Sequence, residues 1–262
     1  MPLSISSHDI TATDITARLA PYGLNLIGTA SRAAYESLVP KQYHVTSLLP
    51  QTQSIIVIGN GGGAFWAGFR AYADTRPGSF QEHLHPLDDY TVEVIENSLT
   101  PLLQHSGASY RYLYPFRFST QPVSFMHLAQ ASGLAGPSIL GIVIHPTYGP
   151  WIALRAAVLI DQEFDQQLTG PPPAQGFDPC PNCTERSCIQ ACPANVVSVE
   201  KGWDIPGCVQ HRVNVPDDCV THCHARYECV YGRQHRYPPD ELRYHQAQSF
   251  AVMREYAEKS GE

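Results

Sequence analysis

All eight cysteines of this 262-residue chain fall between Cys180 and Cys229, and the residues before Cys180 contain none. That asymmetry divides the sequence more sharply than any glycine or proline cluster. The N-terminal stretch MPLSISSHDITATDITARL lacks the basic-then-apolar order of a secretory leader, so a cytoplasmic, reducing location is expected. In a reducing compartment, thiols at this density are better read as metal ligands than as disulfides.

The first four cysteines run Cys180-x2-Cys183-x4-Cys188-x3-Cys192-Pro193. Cluster-binding loops of the bacterial ferredoxin type read C-x2-C-x2-C-x3-C-P, with three thiolates on one cubane and the fourth on a second cluster. Here the middle gap is two residues longer, while the C-x3-C-P end is intact. A cubane needs four thiolates converging on a small pocket, and a longer loop can still supply them. The later set, Cys208, Cys219, Cys223 and Cys229, is spaced x10, x3 and x5, which alone is a weak pattern. Two cubanes require eight thiolates, and the chain has eight. Exchange of the fourth ligand would then put Cys192 with the later set and Cys229 with the first. The alternative is one cluster plus a zinc site, with His211, His222 or His224 as extra ligands. Two low-potential 4Fe-4S clusters side by side form a one-electron relay, so the N-terminal region is expected to hold an acceptor.

The whole chain has the composition of a loop-rich globular fold: 43% hydrophobic, 16% charged, with 22 prolines and 19 glycines. The net charge of −7 and the lack of any Lys/Arg run argue against a nucleic-acid partner, which requires a basic face. The longest apolar window, Ile139 to Ile160, is interrupted by His145, Pro146, Pro150 and Arg155 and does not read as a membrane span. Helices are expected over 8–20, 31–38, 85–107 (kinked or split at Pro101) and 123–132. Strands are expected at 24–28, 54–59 and 108–114, and ILGIVIH with WIALRAAVLI should form a hairpin joined by PTYGP. Gly59-x-Gly61-x-x-Ala64 mimics a dinucleotide fingerprint, but residues 70–86 read as a loop where that fold needs a second strand. A glycine turn that lets a helix pack against a strand is the better reading. The order is α+β with antiparallel pairing. TGPPPAQGFDP is a stiff linker, and a last helix starts near Pro239.

Residues 128–161 contain Gly133, Leu134, a strand ending in His145-Pro146, a Tyr148-Gly149 turn and a Trp151-bearing strand. This stretch resembles the epoxyqueuosine reductases and the CblC-type (MMACHC-like) cobalamin-processing proteins. HPLDDYT and the fifteen residues between Cys192 and Cys208 resemble the reductases, and WIALRAAVL and RYPPDELRYHQAQSF the CblC type. The resemblance implies a nitroreductase-like N-terminal domain that binds a corrinoid, with a ferredoxin-like iron–sulfur module delivering electrons to cobalt. It places Tyr90, Gly133, Leu134, His145, Tyr148 and Arg155 near the corrin. The arginine matching Arg155 helps form a thiol-cosubstrate pocket in CblC-type proteins. Ser119 stands where the reductases have an acidic proton donor, and a serine is a far poorer acid. Ser138 and Ile139 replace a Gly-Lys. The tRNA-docking helical repeats of those reductases have no counterpart in these residues.

The implied domains are 1–170 for the corrinoid, 171–236 for the clusters, and 237–262 as a helix packing back on the first. The expected function is an iron–sulfur, cobalamin-binding redox protein that reduces cobalt or removes its axial ligand, an oxidoreductase if it turns over. The alternatives are a cobalamin-dependent reductase of an organic substrate, with Ser119 acting through a water, and a non-catalytic electron carrier or cobalamin chaperone. The expected partners are a small-molecule corrinoid and a low-potential electron donor protein, with no nucleic acid and no membrane.

Overall fold

The computed structural model describes residues 10–76, 85–163 and 176–260. The linker segment 164–175, residues 77–84 of the expected loop and the first residues of the expected N-terminal helix lie outside them. The chain divides into two compact units. One runs to Leu134 and resumes at Ala153, and the other comprises Ala135–Ile152 and the chain from Gly176 onward.

The first unit is built on a four-stranded sheet. Helix α1 (Ala12–Leu19) starts at a capping box in which Thr11 Oγ1 accepts from the Asp14 N–H and Asp14 accepts from the Thr11 N–H. Strand β1 (Leu26–Ser31) alternates buried and half-buried residues, as an edge strand does. After α2 (Arg32–Glu36) comes β2 (Ser54–Gly61), buried along its whole length. Helix α3 (Ala64–Asp74) follows, then α4 (Pro86–Ser106), β3 (Tyr110–Leu113), α5 (Phe125–Ala131) and β4 (Ile152–Ile160). The strand order is β1-β2-β4-β3. β1 pairs antiparallel with β2, and β3 with β4. The Gln53 N–H donates to Ile160 O, and Gly59 lies against Ala153 O, so β2 and β4 also run antiparallel. Among the described residues no parallel crossover follows β2, whose two neighbours both run antiparallel to it, and the Gly59/Gly61 sequence is therefore not part of a dinucleotide fold. A Cβ at Gly59 would stand 2.7 Å from Ala153 O; the glycine lets the two central strands close up.

Two expectations change here. Pro101 does not split α4: the helix is continuous, with Pro101 exposed, where water can reach the carbonyl that its missing N–H would have bonded. ILGIVIH is not a strand of the sheet. It forms turns with isolated bridges Gly136–Ile144 and His145–Gly149, and β4 takes β2 and β3 as its neighbours. The apolar residues of that run are buried elsewhere: Leu140 and Ile144 pack with Val197, Ala225 and Cys229 in the core of the second unit.

The second unit contains α6 (Ser187–Gln190), a short ribbon of β5 (Val197–Ser198) and β6 (Gly202–Trp203), then α7 (Ile205–Asn214), α8 (His224–Tyr227) and α9 (Pro239–Ser260). The division differs from the expected boundary at 170/171, because residues 135–152 belong with the cysteine module. α9 belongs there as well. Arg212 of α7 donates to Ser249 Oγ and Gln246 O of α9, and Gln246 Nε2 donates to Cys219 O at 2.6 Å. Among the described residues no helix is long and apolar enough to cross a membrane.

Candidate metal centre

The longer gap between Cys183 and Cys188 is taken up by one left-handed residue. Arg186 adopts φ 47° just before α6, and its Nε donates to Cys183 O at 3.2 Å. The turn places Cys188 on α6 opposite Cys180 and Cys183. These three line a cavity of about 20 Å³ whose fourth cysteine is Cys229, with Ile139, Leu140 and Ile144 as apolar walls. Cys192 lies only four residues after Cys188 but lines a different cavity, of about 210 Å³, with Cys208, Cys219 and Cys223. Cys208 is presented by α7, whose start is fixed by Asp204 Oδ1 accepting from the Gly207 N–H at 3.1 Å. Each cavity is thus lined by four cysteines, and the sorting is crossed relative to the sequence.

All eight thiols are free. Burial pushes the Cys188 thiol up to about 11, and neighbouring Cys229, Cys180 and Cys183 add to it. Cys219 is likewise pushed up to about 11 by burial and by Cys223, partly offset by Arg212. Thiols crowded in apolar surroundings resist ionisation unless a cation supplies the missing charge. The donor set therefore fits a positively charged, thiolate-loving centre. Among the described residues, no three His, Cys, Asp or Glu side chains are gathered closely enough to hold one metal ion. Each cysteine quartet instead lines a cavity. The histidines that could complete a zinc site have other contacts. His224 Nε2 donates to Asp218 O at 2.6 Å, His211 Nε2 stands 3.1 Å from Asp218 Oδ2, and His222 Nδ1 is 2.8 Å from Thr221 Oγ1.

The residues expected near a corrin divide between the units. In the first, Arg155 on β4 is 9% exposed; its Nε donates to Asn60 Oδ1 of β2 at 2.7 Å, and the guanidinium stands 4.7 Å from the Phe65 ring centroid. Burial pushes the nearby Asp88 carboxyl up, with His85 and Arg155 pulling it back. Tyr90 is buried among Phe65, Phe69 and Tyr72, with ring centroids 4.7–5.6 Å away. Gly133 and Leu134 end α5. Gly133 is left-handed, its N–H donates to Gln130 O, and the Leu134 N–H reaches back to Ala129 O. This is a Schellman termination, which accounts for the glycine, and Leu134 fills the space beside Gly28. Ser119 lies in an exposed turn without a hydrogen-bond partner among the described residues.

In the second unit, His145 is 5% exposed, and its Nδ1 accepts from the Thr147 and Tyr148 N–H groups at 3.0 and 3.2 Å. Nδ1 is thus the acceptor and Nε2 carries the proton, so neither nitrogen is free as a metal ligand in this arrangement. Burial, aided by His235, pushes its pKa down to about 4. Tyr148 lies between His145 and His235, tilted against both rings, with centroids 5.2 and 4.6 Å apart. The turn they form presses onto the segment after Cys229. A Cβ at Gly149 would lie 2.0 Å from Tyr231 O, and one at Gly232 would lie 2.2 Å from Tyr148 O. Arg226 secures the same turn through two bonds to Pro150 O, at 3.1 and 2.7 Å, between the rings of Trp151 and Tyr237. Sequence reading did not single out Asn60, Arg212 or Arg226. Only Arg212 had a local signal, its spacing of four from Cys208 in a helical stretch.

No family model matches the chain, and no curated protein does. Solved structures do. The chain shares its fold with epoxyqueuosine reductase from Streptococcus thermophilus at a TM-score of 0.58 and 14% identity, over 86% of this chain and 67% of that one. It is equally similar to the C. elegans B12-trafficking protein CblC, a human MMACHC homologue, at a TM-score of 0.58 and 13% identity, over 92% and 93% of the two chains. A third match is an epoxyqueuosine reductase in complex with a tRNA stem loop, at a TM-score of 0.52 and 15% identity, over 88% and 68%. This last structure overturns the exclusion of nucleic acid. That protein was solved with an RNA ligand, and an overall charge does not describe the local surface that a phosphate backbone meets.

Proposed function

We propose that the protein is an iron–sulfur, corrinoid-binding redox protein, in which two cysteine quartets hold 4Fe–4S clusters that feed electrons singly to cobalamin. The observation that carries this reading is the sorting of eight cysteines into two groups of four, each around its own cavity. The shared fold with epoxyqueuosine reductase and with a B12-trafficking protein supports the corrinoid part. The clusters supply one-electron carriers, and the corrinoid supplies a cobalt centre for the redox chemistry.

The chain's own contribution is to position and shield. Ile139, Leu140 and Ile144 keep water from the first quartet. Tyr148–Pro150, braced by Arg226, fixes the Cys229 segment against the other three thiols. The nitroreductase-like character of the first unit, the ferredoxin-like character of the second and the corrin contacts of Tyr90, Arg155, His145 and Tyr148 belong to this proposal. Ser119, exposed and unbonded, has no acid strength to offer as a proton donor, so cobalt reduction is favoured over protonation of an organic substrate.

The test is anaerobic reconstitution with iron and sulfide, followed by added cobalamin and visible spectroscopy. Acid-labile sulfide in amounts close to the iron, and a base-off shift of the cobalamin bands that deepens on reduction, are expected. Zinc without sulfide, or cobalamin bands unchanged by protein, would overturn the proposal.

A further inference from the structure

A buried cation with no carboxylate partner among the described residues shares the larger cavity with its four cysteines. Arg212 is 5% exposed and lines that cavity with Cys192, Cys208, Cys219 and Cys223. It follows Cys208 by four residues on α7, which sets both side chains on one face of the helix. Its guanidinium donates to Ser249 Oγ at 3.0 Å, to Gln246 O at 3.2 Å and to Met253 Sδ at 2.8 Å, and stands 5.5 Å from the Phe250 ring centroid. Every one of these partners is neutral. Withdrawing a guanidinium from water is costly unless a negative charge meets it. The smaller cavity is built differently: Arg186 lines it, but its side chain is solvent-exposed and its charge is screened.

We infer that Arg212 is the fixed counter-charge of the group held by Cys192, Cys208, Cys219 and Cys223, and that it raises that group's reduction potential. The inference rests on the iron–sulfur reading above. A cluster with four thiolates is anionic, and reduction adds one more negative charge without breaking a bond. A nearby positive charge in a poorly solvated cavity stabilises the reduced form more than the oxidised form. Arg212 and the four cysteines line one and the same cavity, so its field reaches the sulfurs. The competing account is a tether, because the same bonds join α7 to α9.

Redox titration with dithionite, followed by electron paramagnetic resonance, separates the two accounts. It is run on the reconstituted full chain in a Cys229→Ala background, which leaves the second quartet intact. Arg212→Met should weaken one-electron reduction of the remaining cluster at least tenfold, about 59 mV downward. Arg212→Lys, which keeps the charge and loses the fork, should shift it by less than half as much. Ser249→Ala, which loosens the tether and keeps the charge, should leave the potential in place while lowering thermal stability. Should Arg212→Met fail to load, Arg212→Gln is the second neutral variant. An unshifted potential in the neutral variants, or an equal shift in Ser249→Ala, overturns the counter-charge. Lack of any 4Fe–4S signal in the wild-type protein overturns the iron–sulfur reading itself, a separate outcome.

Discussion

Cys188 and Cys192 are separated by three residues and line different cavities, while Cys188 shares its cavity with Cys229, 41 residues further on. Ligand loss should therefore follow space and not sequence. Cys229→Ala should abolish the cluster of the first quartet and Cys192→Ala that of the second, each variant keeping roughly half of the wild-type iron. Iron and sulfide analysis with paramagnetic resonance checks this. Loss of the same signal in Cys192→Ala and Cys188→Ala would refute the crossed sorting.

Gly149 is the tightest approach of the turn to the Cys229 segment. At φ 58° it sits where an L side chain costs about 1–2 kcal/mol, before any collision is counted. The collision is with the backbone oxygen of Tyr231, which cannot swing aside as a side chain could. Gly149→Ala should displace Cys229 and cost the first cluster preferentially. Thermal melting and iron content of the purified variant measure both effects.

His145 makes acid stability asymmetric. Its pKa is about 4 in the folded chain, below the ordinary 6.5, so between those values the unfolded chain binds more protons than the folded one. Its contribution is fully present above about pH 6.5 and is lost as pH falls toward 4. His145→Asn keeps an acceptor for the Thr147 and Tyr148 N–H groups without a titrating ring. Melting temperatures from pH 7 to pH 4 should fall less in that variant than in the wild type.

Asn60 gives Arg155 an uncharged acceptor inside the sheet. Asn60→Ala removes it and should destabilise the first unit by about 1–3 kcal/mol. Urea unfolding monitored by tyrosine and tryptophan fluorescence gives the value. A change below about 0.5 kcal/mol would place the arginine's support elsewhere.

Much of this was readable from residue order. The cysteine grouping, including the exchange of Cys192 and Cys229, follows from the proline-terminated motif and the number eight. Helix α4 was legible because its apolar residues keep the helical period, and strand β2 because its short apolar run is bounded by turn residues. ILGIVIH was not, because an apolar run reports burial without saying against what. Leu140 and Ile144 are buried, but beneath the cysteines and not in the sheet. Gly133 and Leu134 look like site residues in sequence, yet the backbone around them is that of a helix ending. The pairing of Gly149 with Gly232 depends on two segments meeting in space, which no local pattern announces.

The crossed quartets also bear on how the chain is made. Synthesis runs from the N-terminus, so the second cavity has its full complement of sulfurs once Cys223 has emerged. The first, begun at Cys180, must wait for Cys229. The group of thiols that appears earliest is the last to be completed, and until then three of them stand exposed to whatever oxidant or stray metal the nascent polypeptide encounters.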